Sequence, residues 1–596
     1  MTSFGSGQRA AGSGQRAAGS GQRAAGSGQR AAGSGQRAAG SGQRGPEACV
    51  LFAVRSAGAL HRLLDVIPVF DGDERVVSRF TLVPGSDFDV DALAALDRSG
   101  ARFVTWDDAR SSAHDLVLTA SPKGAIRVLS GPHVLLPHGA GFNKALPDEG
   151  SPRLPSGLDP HYLLVDGRPW AALHALAHGD QLDRLAEHCP PAAARATVVG
   201  DPTLDRLLAS LPHRDDYRAA LGTGERRLVV LTSTWGRESL LERRPELPAA
   251  LARALPHDAY QLALVLHPNE HSRLGSYDLT RHLAPALRAG TVLAGPHEEW
   301  AALLIACDAV VTDHGSTALY AAALGRPVIG AYDGGHELIP GTPMAALLER
   351  APRLTDPAGL EAALREASAQ EVRKCADAAF DLPGESLPRL RDALYRLLDL
   401  RPRPVPVRPR PLPAPRRPAA PNGPAAYAVR TRVTGRRVAV ERFPADTPLP
   451  IHYLAVESPH AGPRETQSAA VLWRRSRPAA GTPHSSTWTA GGWTARMLDD
   501  LPYCGTAAAI LTPERCLLRH RTAGTFRVHV EPHRADGRVM RADPAAVVSA
   551  VHAWLASRPE PAAPDPVPVT LVCDVGTFSV RAVVTRADDS DRDHEL

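Results

Sequence analysis

Short apolar, β-rich runs that alternate with helical patterns set the strongest limit on how this chain can fold. From Ala48 the runs ACVLFAVRS, ERVVSRFTLV, DLVLTA, HVLLPHG and ATVVGDP are separated by segments such as DVDALAALDRSG and PWAALHALAHGDQLDRLAEH. Strands that are apolar on both faces are buried on both, and strands joined through helices run parallel, so the pattern predicts a doubly wound sheet. A second series starts at Arg226 with RRLVVLTSTW, continues through QLALVLHP, TVLAGP, DAVVTDHG and RPVIGAY, and ends in the amphipathic PRLRDALYRLLDL. The fold class is therefore α/β, with Rossmann-like domains expected at residues 47–222 and 223–400.

The flanking sequence reads differently. Up to Arg44 the heptapeptide Gly-Ser-Gly-Gln-Arg-Ala-Ala recurs without a large apolar residue, which predicts a disordered arm over 1–46 and not a coiled coil. Residues 401–425 are rich in Pro and Arg and predict an extended polyproline II linker. Residues 426–596 mix strand-like runs such as YAVRTRV and TLVCDV with the helical AAVVSAVHAWLAS, and read as a small α+β domain ending in a disordered tail. The net charge of +4 falls to −8 once the twelve arginines of the repeat arm and the linker are set aside. An acidic body is not a nucleic-acid-coating surface, so no nucleic-acid partner is expected. The seven cysteines are scattered and read as reduced thiols. Without a signal-like N-terminus or a long apolar span, the expected location is cytoplasmic.

Four strand ends carry candidate chemistry. In Asp313-His314-Gly315-Ser316-Thr317 a polar turn follows a buried strand and opens an alanine-rich helix, where free amides and hydroxyls can hold phosphate oxygens; the same residues also suit an ordinary N-cap. His138 follows an apolar strand beside Gly139 and is placed for general-base work. His267 ends the strand QLALVLHP and is the second catalytic candidate. The spacing His267 to His271 formally fits a metalloprotease motif, but that motif needs one helix and this run reads as a strand, so no metal is expected. Trp235 and Arg237 end the first strand of the second series, Trp235 as a cleft wall with Gly139 and Arg237 as an anion clamp. No Walker-type Gly-x-x-x-x-Gly-Lys-Ser/Thr occurs, which argues against a P-loop nucleotidase.

Taken in this order, Pro137-His138-Gly139, Val199-Gly200-Asp201-Pro202, Ser233-Thr234-Trp235-Gly236-Arg237, His267-Pro268, Asp313-His314-Gly315-Ser316 and Gly325-Arg326-Pro327-Val328-Ile329 resemble the motifs of the CDP-glycerol glycerophosphotransferase family of teichoic-acid synthesis. The resemblance covers the body alone. It implies a GT-B fold, a nucleotide-diphosphate donor held by the second domain, and an acceptor hydroxyl, lipid-linked in that family, deprotonated by His138 in the first. Peripheral membrane contact would follow; no cofactor is implied. His314-Gly315 departs from that family's pattern and looks like the donor loop of nucleotide-sugar glycosyltransferases, so a UDP-sugar donor stands beside CDP-glycerol. UDP-sugar 2-epimerases and a catalytically degenerate GT-B scaffold that only binds are the alternatives.

Overall fold

The computed structural model describes residues 46–85, 96–97, 100–145, 150–151, 153–296, 298–416, 423–476, 486–558 and 568–596. The repeat arm at 1–45, expected to be disordered, lies outside the described residues, as do linker residues 417–422.

The first sheet contains β1 (Ala48–Val54), β2 (Val76–Leu82), β3 (Leu116–Thr119), β4 (His133–Leu135), β5 (Leu173–Leu176) and β6 (Ala196–Val198). All pairs are parallel, in the order β2-β1-β3-β4-β5-β6. The second sheet contains β7 (Arg227–Ser233), β8 (Tyr260–Leu266), β9 (Val292–Leu293), β10 (Ala309–Thr312) and β11 (Val328–Gly330), also all parallel, in the order β9-β8-β7-β10-β11. The strands β3, β4, β5, β8, β10 and β11 are buried at every residue, in keeping with their mainly apolar sequences. Each order reverses direction once, at β1/β3 and at β7/β10, and such switch points leave a crevice at the carboxyl ends of the strands.

The two cores exchange helices. The helix Ser386–Leu397 buries Leu387, Leu390, Leu394 and Tyr395 against Phe52, Leu60 and Phe70 of the first core. Conversely, the helices Pro202–Ser210 and Arg214–Leu221 bury Leu204, Leu207, Tyr217 and Leu221 in the second core. A division at residue 222 thus follows the strands and not the cores. The described part of the Pro/Arg linker is extended but is no free spacer. Arg403 and Arg410 pair with Asp73 and Asp71 at 3.7 and 2.8 Å, Leu412 is buried in the second core, its carbonyl accepts the Tyr217 hydroxyl at 2.6 Å, and Arg416 meets Glu299 at 3.6 Å. The linker is a strap from one α/β domain to the other.

The C-terminal region corrects the α+β expectation. Nine strands close into a barrel: β12 (Ala426–Thr434), β13 (Arg437–Pro444), β14 (Tyr453–Glu457), β15 (Ala469–Arg475), β16 (Thr506–Thr512), β17 (Arg515–His520), β18 (Gly524–Glu531), β19 (Val569–Val575) and β20 (Phe578–Arg586). Their order is β12-β13-β19-β20-β18-β17-β16-β15-β14, with β14 returning to β12. The helix Pro544–Ala556 is buried from Pro544 to Leu555 and shares one core with residues of the strands around it. Its sequence PAAVVSAVHAWLA is apolar on every face, the pattern of a helix with no solvent side. That pattern announces burial; it does not announce a surrounding barrel. The last residues, expected as a disordered tail, lie against the barrel: Asp588 and Asp591 form a capping box, Asp591 is fully buried on Arg527, and the Leu596 amide donates to the Trp488 carbonyl at 3.0 Å. Arg442, 1% exposed and bonded within the barrel region to Asp543, joins barrel to body through a two-pronged pair with Asp258. Among the described residues no helix is long and apolar enough to cross a membrane.

Candidate functional site

The loops after β1, β3, β4, β7, β8 and β10 meet across one cavity of about 550 Å³. The first domain contributes Arg55, Arg62, Lys123, His138 and Lys144; the second contributes Thr234, Trp235, His267 and the turn from Asp313 to Thr317. The walls approach closely at Gly139, where a Cβ would stand 3.1 Å from the Ser316 hydroxyl.

On the first wall, the loop after β1 turns into the helix Ala57–Leu64, whose N-cap is Ser56. The Arg55 guanidinium donates to the Gly85 carbonyl at 3.2 Å and lies over Gly124, which has a φ of +86° and whose Cβ would come within 2.3 Å of it. A side chain at 124 would be strained and would displace the arginine. Lys123 stands over the Tyr162 ring at 5.2 Å. Arg62 is tied to Asp201 at 3.6 Å and covers Tyr320 at 5.0 Å. His138 Nδ1 lies 3.0 Å from the Ala120 carbonyl. A carbonyl only accepts, so Nδ1 carries the proton and Nε2 is the bare nitrogen of the neutral ring. The ring is reached by solvent in the cavity, while burial in the surrounding protein, with Arg62 and Lys123 adding to it, lowers its pKa.

The second wall has the opposite character. His267 caps the helix that begins at Pro268: its Nδ1 accepts the Asn269 amide at 3.1 Å, which leaves the proton on Nε2 as a donor. Burial brings its pKa down to about 3, so it is neutral at physiological pH. Asp313, expected among the phosphate-binding residues, is fully buried, and its oxygens accept the amides of Thr234, Leu240 and Gly315 at 2.9, 2.8 and 2.9 Å. It holds the two loops in place through these three bonds. His314 is buried, with Nε2 3.1 Å from Glu337. The Ser316 hydroxyl makes no capping bond, so it can turn to the cavity beside Thr317.

Arg237, expected to clamp an anion, is exposed and does not line the cavity. After Trp235 the chain bends through Gly236, whose φ is +89°, and this turn carries Arg237 outward. The other expected residues, His138, Gly139, Trp235, His267 and Asp313 to Thr317, line one cavity. Arg55, Ser56, Arg62 and Lys123 were not singled out from sequence. Their signal was present in Arg55-Ser56-Ala57-Gly58, a polar and small turn directly after an apolar strand, and in the rarity of lysine, which occurs at 123, 144 and 374 alone.

Paired switch points facing one cavity define a two-domain α/β protein of Rossmann-like halves, carrying a C-terminal barrel. No family model and no curated protein sequence matches the chain. Among solved structures it is similar to the wall teichoic acid polymerase TagF, at 15% identity and a TM-score of 0.44, over 59% of this chain and 89% of that one. It is also similar to Anabaena Alr3699/HepE in complex with UDP and glucose, at 15% identity and a TM-score of 0.37, over 59% and 100% of the two chains. A third similarity is to a structure named as a putative UDP-N-acetylglucosamine 2-epimerase from Listeria monocytogenes, at 15% identity and a TM-score of 0.40, over 59% and 96%.

Proposed function

We propose that the body is a transferase that moves a glycosyl or polyol-phosphate group from a nucleotide-diphosphate donor to an acceptor hydroxyl. The observation that carries this reading is the pairing, in one cavity, of a histidine with a bare Nε2 and a set of cations facing hydroxyl donors. His138 takes the proton of the acceptor hydroxyl as its oxygen attacks. With a nucleotide sugar the anomeric C–O bond breaks and the nucleoside diphosphate leaves; with a CDP-glycerol-like donor the phosphoanhydride breaks and the nucleoside monophosphate leaves. Arg55 and Lys123 offset the charge that develops on the departing phosphate, in the role first expected of Arg237. The His267 Nε2–H and the hydroxyls of Ser316 and Thr317 supply donors whose positions are fixed before the reaction. Positioning and electrostatics are the main catalytic contributions.

The test is thermal stability of the full chain with CDP-glycerol, UDP-glucose, UDP-N-acetylglucosamine, CMP, CDP, UMP and UDP. A ligand at a hundred times its dissociation constant adds about 2.7 kcal/mol to the folded state, a shift of a few degrees. A shift confined to one nucleotide series names the donor and directs the acceptor search. No shift with any of them removes the transferase reading.

A further inference from the structure

The two α/β domains are joined by two sets of contacts of different kinds. In one set the chain itself crosses. Gly179 donates to Asp381 at 2.7 Å, Asp205 accepts the amides of Gly384 and Ser386 at 2.5 and 2.9 Å, and the strap over 401–416 ties Asp71 and Asp73 to the second core. The other set has no covalent crossing. There Asn143, Lys144 and Ala145, which follow the His138 loop, pair with residues 337–344 of the second domain. Ala145 donates to the Glu337 carbonyl at 3.0 Å, Ile339 donates to the Asn143 carbonyl at 2.9 Å, and Lys144 forms an antiparallel bridge with Leu338. The buried Asn143 side chain spans both domains, donating to Ala140 at 2.7 Å and accepting from the Met344 amide at 3.2 Å.

Lys144 is the cationic member of this junction, and its ammonium meets Glu337 and Trp235 of the second domain. Its ammonium is 2.5 Å from Glu337 Oε2, 3.4 Å from the Trp235 carbonyl and 5.3 Å from the centre of the Trp235 ring. The ammonium thus meets a carboxylate, a carbonyl and an aromatic ring of the second domain at once. Glu337 is shared: the oxygen that meets Lys144 also meets His314 Nε2 at 3.1 Å, and His314 directly precedes the Gly315–Thr317 turn of the cavity wall.

We infer that residues 143–145 and 337–344 form a releasable latch between the α/β domains, that Lys144 and Glu337 are its charged clasp, and that Glu337 couples its closure to the placement of the His314–Thr317 wall. The strap side is the hinge about which the cleft opens when the latch parts. This goes beyond the transferase reading and holds for whatever ligand the cleft takes.

Amide hydrogen exchange of the full chain tests it, because exchange reports local opening peptide by peptide. In Lys144→Met the peptides carrying the Ala145, Ile339 and Met344 amides should exchange faster by about tenfold, the scale of one lost charge-assisted bond, with the 401–416 peptides unchanged. Glu337→Gln should accelerate the same amides and also those of 313–317. The double variant should exchange no faster than Glu337→Gln, since both changes break one clasp. Unchanged exchange at 143–145 and 337–344, acceleration of the strap to the same extent, or additive acceleration in the double variant would each overturn the latch. Should Lys144→Met fail to fold, Glu337→Gln, which keeps the volume, reads the same amides.

Discussion

The two walls of the cavity come from sheets of the same design, yet they divide the labour of a binding site. The first wall brings charge and a base: Arg55, Lys123 and the bare nitrogen of the neutral His138 ring. The second wall brings geometry: Asp313 fixes two loops through three backbone amides, His267 caps a helix, and the ligand-facing groups that remain are hydroxyls and an imidazole N–H. The difference teaches that a polar residue at a strand end can have its polar atoms turned either into the cavity or back into the fold, and hydrogen-bond accounting tells which.

Five measurements break or sharpen this contrast, in falling order of effect. His138→Ala should lower turnover by about 10² to 10⁴ with little change in donor affinity, the usual yield of a positioned base; near-normal turnover would remove His138 from the chemistry. Asp313→Ala should act on the fold, lowering stability in urea by about 3 kcal/mol because three buried amides lose their acceptor. Full stability with lost ligand binding would instead make Asp313 a ligand-facing residue. Arg55→Ala should weaken binding of an anionic nucleotide by about tenfold while the urea midpoint stays in place, consistent with loss of one charge-assisted contact.

Acid should expose the second wall. The folded His267 has a pKa of about 3, against 6.5 for the ordinary ring, so the unfolded state binds a proton across this interval that the folded state does not. The stabilisation is therefore complete above pH 6.5 and is lost as pH falls towards 3, at up to about 1.4 kcal/mol per pH unit. His267→Gln should flatten the fall in urea midpoint between pH 7.5 and 5, and an unchanged slope would count against a neutral capping ring. Smallest of all, Arg237→Ala should leave nucleotide affinity where it was, since the side chain lies outside the cavity.

The α/β body was legible because its signals are local. Apolar runs such as 134–136 and 309–311 declare buried parallel strands, and the residues shortly after them, His138 and Asp313 to Thr317, fall at the carboxyl edge by topology alone. The direction of a side chain is not local. Nothing within Thr234-Trp-Gly-Arg237 shows that Gly236 adopts a left-handed φ and turns Arg237 away. The cations that do line the cavity sit in turns whose partners, Gly124 under Arg55 and Gly85 beside it, are far along the chain. The barrel was hidden for the same reason: its register joins Arg437 to Val572, and a strand pattern cannot name a partner at that separation. The strap was legible as extended but not as attached, because proline content sets backbone shape and says nothing of what Leu412 meets.

The buried helix of the barrel has a consequence for the order of assembly. Seven strands precede Pro544–Ala556 in the chain, and β19 and β20, which close the wall between β13 and β18, follow it. During synthesis the first seven strands cannot seal around a core that has not yet been made, and the helix, once made, has no solvent-tolerant face until β19 and β20 arrive. The barrel therefore cannot close until β19 and β20 have been synthesised. Its dependence on chaperones during synthesis should exceed that of the α/β body, whose sheets are complete more than two hundred residues earlier.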